Sequence, residues 1–292
     1  MTPKAKAAGL TLLAVLLWGF APIGTRYMVG VHQAGIPALP FVGLRYFIAA
    51  LFYLPILFGS PRKWSRQDLL FGALCGLIGV TGYNLPNALG QRTVSAGMTG
   101  LLNGAEPLMI VVISALRYRR VPTVWTILAS LIGLSGIVLL ARGAGPAEGD
   151  IKGITLVLVS ALAWSIYCVM VLPLIQRRGA VAVTAIAMAT GSLPMLLAGS
   201  PGIPGVVEVL SISQWEVLMA LVIGTSVIAI LCWNAGSAGL GAEQAAWFLY
   251  LLPVVSLIGG AVILHEPLTM VEFFGGGLIM LSVFLSQRMG RR

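Results

Sequence analysis

Along the chain, apolar runs are separated by short polar, Pro and Gly interruptions, and the length of the runs is what they have in common. A hydrocarbon core about 30 Å thick needs about 20 helical residues. Cutting the sequence at its interruptions leaves ten runs of that size, over approximately 10–28, 38–58, 68–90, 94–116, 121–141, 152–175, 180–198, 214–237, 242–264 and 269–287. The joints at Gln91-Arg92 and Gly239-Leu240-Gly241 are short enough that each could belong to one long helix. The first run follows Lys4 and Lys6, as a secretory signal would, but it is longer than an apolar signal core and lacks a good A-x-A cleavage site, so it is read as a helix of the mature protein. The pattern predicts an all-α integral membrane protein with ten transmembrane helices.

Composition supports lipid as the main solvent. Of 292 residues, 58% are hydrophobic and 9% charged, against about 25% charged in a soluble domain. This excludes disorder, a disulfide scaffold and a soluble enzyme. The 36 glycines are read as packing material that lets helix backbones approach closely. Cys75, Cys168 and Cys232 are isolated within apolar runs, and His32 and His265 share no ligand spacing with other groups, so neither a disulfide nor a metal site is expected.

The formal charge of +9 could suggest a nucleic-acid partner. However, the basic residues form short clusters between apolar runs, with no basic stripe interleaved with aromatics. With the N-terminus inside, thirteen Lys and Arg fall on the inner side, including Arg62, Lys63, Arg66, Arg117, Arg119, Arg120, Arg177 and Arg178. Four fall outside: Arg26, Arg92, Arg142 and Lys152. This bias places both termini in the cytoplasm.

An offset of 146 residues superposes Trp18 on Trp164, Pro107 on Pro253 and Thr123 on Thr269. It divides the chain into five-helix units, 1–146 and 147–292. An odd number of spans per unit makes the two units enter the membrane in opposite directions, as in the inverted repeats of many secondary transporters, around a central cavity. The basic Arg117-Tyr118-Arg119-Arg120 after span four contrasts with Leu264-His265-Glu266-Pro267 after span nine, which has no Lys or Arg.

Several short strings occur in a fixed order on this frame: Trp18-Gly19, Leu44-Arg45-Tyr46-Phe47, the Ala96 to Pro107 stretch, and Leu264-His265-Glu266-Pro267-Leu268-Thr269. On these the whole chain resembles the drug/metabolite transporter superfamily and, within it, the EamA-type exporters of the YddG-like, amino-acid-exporting kind. The resemblance implies a ten-helix carrier with a central cavity that exports amino acids or related metabolites. The first half departs from the pattern, because Arg120-Val121-Pro122 stands where the family has an acidic turn.

An ionisable group at mid-membrane costs at least about 2.5 kcal/mol on insertion scales, so it is kept where it is paired or faces water. Glu106 is such a group, beside Pro107, whose missing amide donor opens the helix. Arg45 in span two lies at comparable depth. The two form either a pair that holds helices together or a site for substrate or proton. Span three ends in Tyr83-Asn84-Leu85-Pro86-Asn87, and its spacing puts Asn84, Asn87 and Gln91 on one stripe, with Asn103 one turn from Glu106. Amides that both donate and accept suit a zwitterionic or hydroxylated solute, although they could equally bond helix to helix. Trp18 and Trp164 at mid-span, Tyr167 one turn from Trp164, and Glu243, Trp247 and Tyr250 in span nine before Pro253 are either cavity wall or core filling. Trp64, Trp125 and Trp215 are read as interface anchors.

The chain has no phosphate-binding loop of the ATPase type, no HExxH and no GxSxG, so the reading includes no enzyme and no cofactor. It is a secondary-active inner-membrane transporter working by alternating access, with spans one, three, four, six, eight and nine around the site. Its partners are a small solute and membrane lipid, without nucleic acid. Alternatives are a nucleotide-sugar or organic-ion and drug carrier of the same fold, a membrane-embedded lipid-modifying enzyme, or a channel.

Overall fold

The computed structural model describes residues 2–59, 64–119, 124–143 and 150–289. Their helices are α1 Pro3–Val29, α2 Ala38–Phe58, α3 Arg66–Gly90, α4 Ala96–Arg117, α5 Val124–Gly143, α6 Ile151–Arg178, α7 Ala180–Val209, α8 Ile212–Leu240, α9 Ala242–Ile263 and α10 Met270–Met289. Among the described residues there is no strand. Eight of these helices are long and apolar enough to cross a membrane, while α5 and α10 carry the shorter apolar stretches Ile127–Leu140 and Met270–Ser282. Phe58, Ile212, Met270 and Phe273 are each more than 70% exposed. An apolar exterior of this kind is stable against hydrocarbon rather than water, and the chain is an all-α multi-pass membrane protein.

Helix starts are fixed by side-chain caps, which supply acceptors to first-turn amides that have no partner within the helix. Ser65 accepts from the Asp68 amide at 3.1 Å, Ser95 from Met98 at 3.0 Å and Asp150 from Gly153 at 2.8 Å. Ser211 and Gln214 form a reciprocal capping box at the start of α8. These caps lie within a few residues of the predicted starts. Two boundaries need correction. Helix α1 begins at Pro3 rather than near residue 10, capped by Thr2, so Lys4 and Lys6 are helical. Helix α7 runs to Val209 rather than stopping near 198, because Pro201 and Pro204 each sit in the first turn of a new helical piece, where a missing amide costs nothing. Both short joints do interrupt the chain: residues 91–95 separate α3 from α4, and Gly241 separates α8 from α9.

Five helices are irregular at depth. Helix α1 breaks at Phe20, between Gly19 and Ala21, just before Pro22. Helices α3 and α8 contain wide π turns at Leu77–Thr81 and Leu221–Ala229. Helix α4 breaks at Gly104-Ala105, between Asn103 and Glu106, and α9 tightens to a 3-10 turn at Trp247–Tyr250. Such interruptions release backbone groups from the regular ladder, and in a membrane they are tolerated where protein or a cavity receives them.

The helices pack as α1 on α8, α3 on α6, α2 on α7, α4 on α9 and α5 on α10. Where α3 meets α7, a methyl placed on Gly191 would run into the Gly76 carbonyl, so this contact requires glycine. One large apolar cluster includes Val15, Tyr53, Tyr167, Met188 and Trp233, and a second gathers Met98, Leu102, Leu140, Ile154 and Ile279.

Candidate functional site

The interruptions surround a central cavity. Its wall contains Trp18, Pro22 and Thr25 of α1, Arg45 and Tyr46 of α2, and Tyr83, Asn84 and Asn87 of α3. Asn103 and Glu106 of α4, Trp164 of α6, Met188 of α7, Thr225 and Ser226 of α8 and Ser256 of α9 also line it.

The break in α4 leaves Asn103 and Glu106 on either side of it, both facing the cavity. Asn103 Nδ2 donates to the Tyr83 hydroxyl at 3.5 Å. Glu106 is 1% exposed, and its Oε1, like Asn103 Oδ1, is buried without a hydrogen-bond partner. Arg45 is fixed from α8: Nε donates to Ser226 Oγ at 3.1 Å and Nη2 to Thr225 Oγ1 at 2.5 Å. Arg45 and Glu106 therefore share a cavity but lie beyond ion-pair distance, which corrects the pairing considered from depth alone. Tyr46 donates its hydroxyl to Asn84 Oδ1, and Asn84 Nδ2 donates to the Val80 carbonyl at 2.9 Å.

One side of the cavity is aromatic. The rings of Trp18 and Trp164 meet edge to face at 5.0 Å, and Tyr83 lies 5.5 Å from Trp164. Trp18 donates its indole N–H to the Thr225 carbonyl at 2.9 Å. Tyr167 is stacked on Trp164 at 5.1 Å but lies behind it, outside the wall. Its hydroxyl meets Asn234, whose Nδ2 also donates to Thr184 Oγ1 at 2.7 Å.

Other expected site residues fall elsewhere. Gln91 donates its side-chain amide to Asn87 Oδ1 and is buried outside the cavity wall. Tyr250 packs beside Leu108, Ala129 and Leu285 rather than in the wall. The side chain of Trp247 lies outside the described residues. Pro107 and Pro253 each follow an irregular turn and line no part of the cavity. Glu243 accepts from Ser114 Oγ at 2.8 Å, far along α9 from the site.

Both ends of α3 are tied by charge. At one, Asp68 pairs with Arg178 at 2.5 Å and Arg177 at 3.2 Å. At the other, Arg26 Nη1 donates to the Gln91 and Arg92 carbonyls at 2.8 Å each, and Arg26 Nε lies 3.5 Å from Glu266. The Glu266 carboxylate also accepts from the Ala96 amide at 2.9 Å, at the start of α4.

The EamA-like transporter family matches residues 5–142 and again 151–287. The chain belongs to this family. It is 28% identical to an "Uncharacterized transporter" of Archaeoglobus fulgidus, covering 94% of this chain and 96% of that one. It is also 28% identical to a "Probable terminal-alkyne amino-acid exporter" of Streptantibioticus cattleyicolor, covering 98% and 96%. A solved structure described as "Crystal structure of protein" superposes with a TM-score of 0.63 at 21% identity over 99% of both chains, which shows the fold.

In this EamA-like transporter the sequence pattern did not point to Tyr46, Thr225, Ser226, Trp233 or Asn234, and it omitted α2 and α7 from the wall. Trp233 packs 5.5 Å from Trp18 and 6.0 Å from Trp164, but it falls four residues from the end of the predicted span 214–237. The depth criterion that singled out the other two therefore does not reach it. The hydroxyls of α8 offer no such signal.

Proposed function

We propose that this EamA-like protein is a secondary-active transporter of the inner membrane. It exports amino acids or similar small metabolites by alternating access and performs no enzymatic reaction. Two inverted five-helix repeats, 1–146 and 147–292, rock about the cavity, with both termini in the cytoplasm as the distribution of Lys and Arg requires.

The observation that carries this reading is the helix pairing. Exchanging α1–α5 with α6–α10 in order maps α2–α7, α4–α9 and α5–α10 onto themselves and maps α1–α8 onto α6–α3. This is the behaviour of a pseudo-two-fold axis. An offset of 146 residues also carries the π turn at Leu77–Thr81 onto residues 223–227, within that of Leu221–Ala229, and the two family matches begin at residues 5 and 151. Among the described residues the wall contains one cation, Arg45, where a nucleotide-sugar carrier would need several, so the solute has low net charge. The relative named as an amino-acid exporter supports that class of solute.

The test is counterflow of labelled amino acids in proteoliposomes preloaded with unlabelled solute. Saturable, trans-stimulated uptake is expected. Flux that rises linearly with concentration and shows no trans-stimulation identifies a channel and overturns the carrier reading. Trans-stimulated flux of nucleotide sugars or drugs but not amino acids overturns the solute class.

A further inference from the structure

Glu106 Oε1 and Asn103 Oδ1 are two acceptors in one stretch of cavity wall, on side chains 1% and 3% exposed, and neither has a donor. An unsatisfied buried acceptor costs about 1–3 kcal/mol, and more if charged. The cation in the wall does not relieve it, because Arg45 lies beyond ion-pair distance of Glu106, its Nε and Nη2 turned to Ser226 and Thr225 on α8. Beside the acceptors are the rings of Trp18, Trp164 and Tyr83. Aromatic faces attract a cation within about 6 Å, most strongly when it is desolvated.

A hydroxyl could satisfy one acceptor but would leave the other without a donor. A guanidinium or primary ammonium brings both donors and charge. The ammonium is the compact form, with three donors at one point for two adjacent acceptors and a ring face.

We propose that the transported solute bears a primary ammonium that docks between Glu106 and Asn103 against the Trp18, Trp164 and Tyr83 rings, with any carboxylate it carries turned toward Arg45. This deepens the carrier reading and rests on it. Recognition is centred on the amine: a solute may lack the carboxylate and still bind, but not the ammonium.

The experiment is a thermal-shift titration of the purified full-length protein in lipid nanodiscs. The probes are the twenty standard L-amino acids, phenethylamine and isopentylamine, each primary amine beside its N-acetyl form and each amino acid also beside its deaminated acid. At least one amine-bearing probe should stabilise the protein saturably, with its N-acetyl form at least tenfold weaker. Glu106→Gln should weaken that probe at least tenfold and Asn103→Ala severalfold. Binding of acetylated or deaminated forms within threefold of the amines overturns the inference, as does the failure of every amine-bearing probe to bind. The wild-type comparison does not depend on either variant folding. Counterflow with the same probes separates the two levels. Amine-selective binding without trans-stimulated flux rejects the carrier reading alone, and trans-stimulated flux of solutes lacking an amine rejects the amine inference alone.

Discussion

Trp18 donates its indole N–H to the backbone carbonyl of Thr225 at 2.9 Å, across 207 positions of sequence. The acceptor lies in the π turn of α8, and the Thr225 side chain at the same position receives Arg45. A single residue of α8 thus sets both an aromatic wall of the cavity and its cation. Trp18→Phe keeps the ring and removes the donor. Hydrogen bonds between membrane helices contribute about 0.6 to 2 kcal/mol, and the variant should lose about that much stability. Transport should fall further than stability, because Arg45 is held by the same turn. Melting curves and initial uptake rates, measured together, check this.

The Asn234 amide joins three helices, reaching Tyr167 on α6 and Thr184 on α7. Asn234→Leu should destabilise the protein more than Tyr167→Phe. The double variant should cost little beyond Asn234→Leu alone, because both changes break the same bond. Additive losses in a double-mutant cycle would show that the two side chains act separately.

Glu266 is an ion partner of Arg26 and also a cap on the start of α4. Removing one member of a largely buried pair leaves the other charge uncompensated, typically at a cost of roughly 3–5 kcal/mol. Glu266→Ala should therefore approach that loss, and Glu266→Gln, which keeps an acceptor for the Ala96 amide, should lose less. Equal melting temperatures for the two variants would indicate that the cap contributes nothing.

Asp150, outside the membrane spans, accepts from the Gly153 amide and from Thr93 Oγ1, each at 2.8 Å. These bonds, the backbone one foremost, hold its carboxyl below the usual aspartate range. A depressed folded-state value means that the stabilisation is complete above the unfolded aspartate range and is lost as pH falls from there through the lower, folded value. Asp150→Ala should cost about 1 kcal/mol at neutral pH, and the difference from the parent should shrink under acid. Unfolding measured at pH 7 and near pH 3 tests the sign.

Much of the helical frame could be read from the sequence, because burial in lipid imposes a length on each apolar run. Arg45, Asn84, Asn87, Asn103, Glu106, Trp18, Tyr83 and Trp164 were also legible as polar or bulky groups at depth, and they meet in one cavity. Thr225 and Ser226 were not. Hydroxyls in apolar helices ordinarily bond back to their own chain, as Thr225 does to the Leu221 carbonyl at 2.6 Å, so their residue types carry no sign of a second partner. Tyr250 was misplaced for a geometric reason: a helical wheel advances about 100° per residue, but the 3-10 turn at Trp247–Tyr250 advances about 120°. The face shared by Glu243, Trp247 and Tyr250 on a uniform helix is therefore broken. No residue pattern announced the π turns.

Two joints between helices depend on glycine. Gly179 between α6 and α7 and Gly241 between α8 and α9 adopt φ of 89° and 84° with ψ of 146° and 156°, a conformation essentially restricted to glycine. Nothing lies within 4 Å of where a side chain would begin at either position, so size is no obstacle. Substitution scanning should nevertheless find both positions as intolerant as a ligand contact, purely through chain geometry.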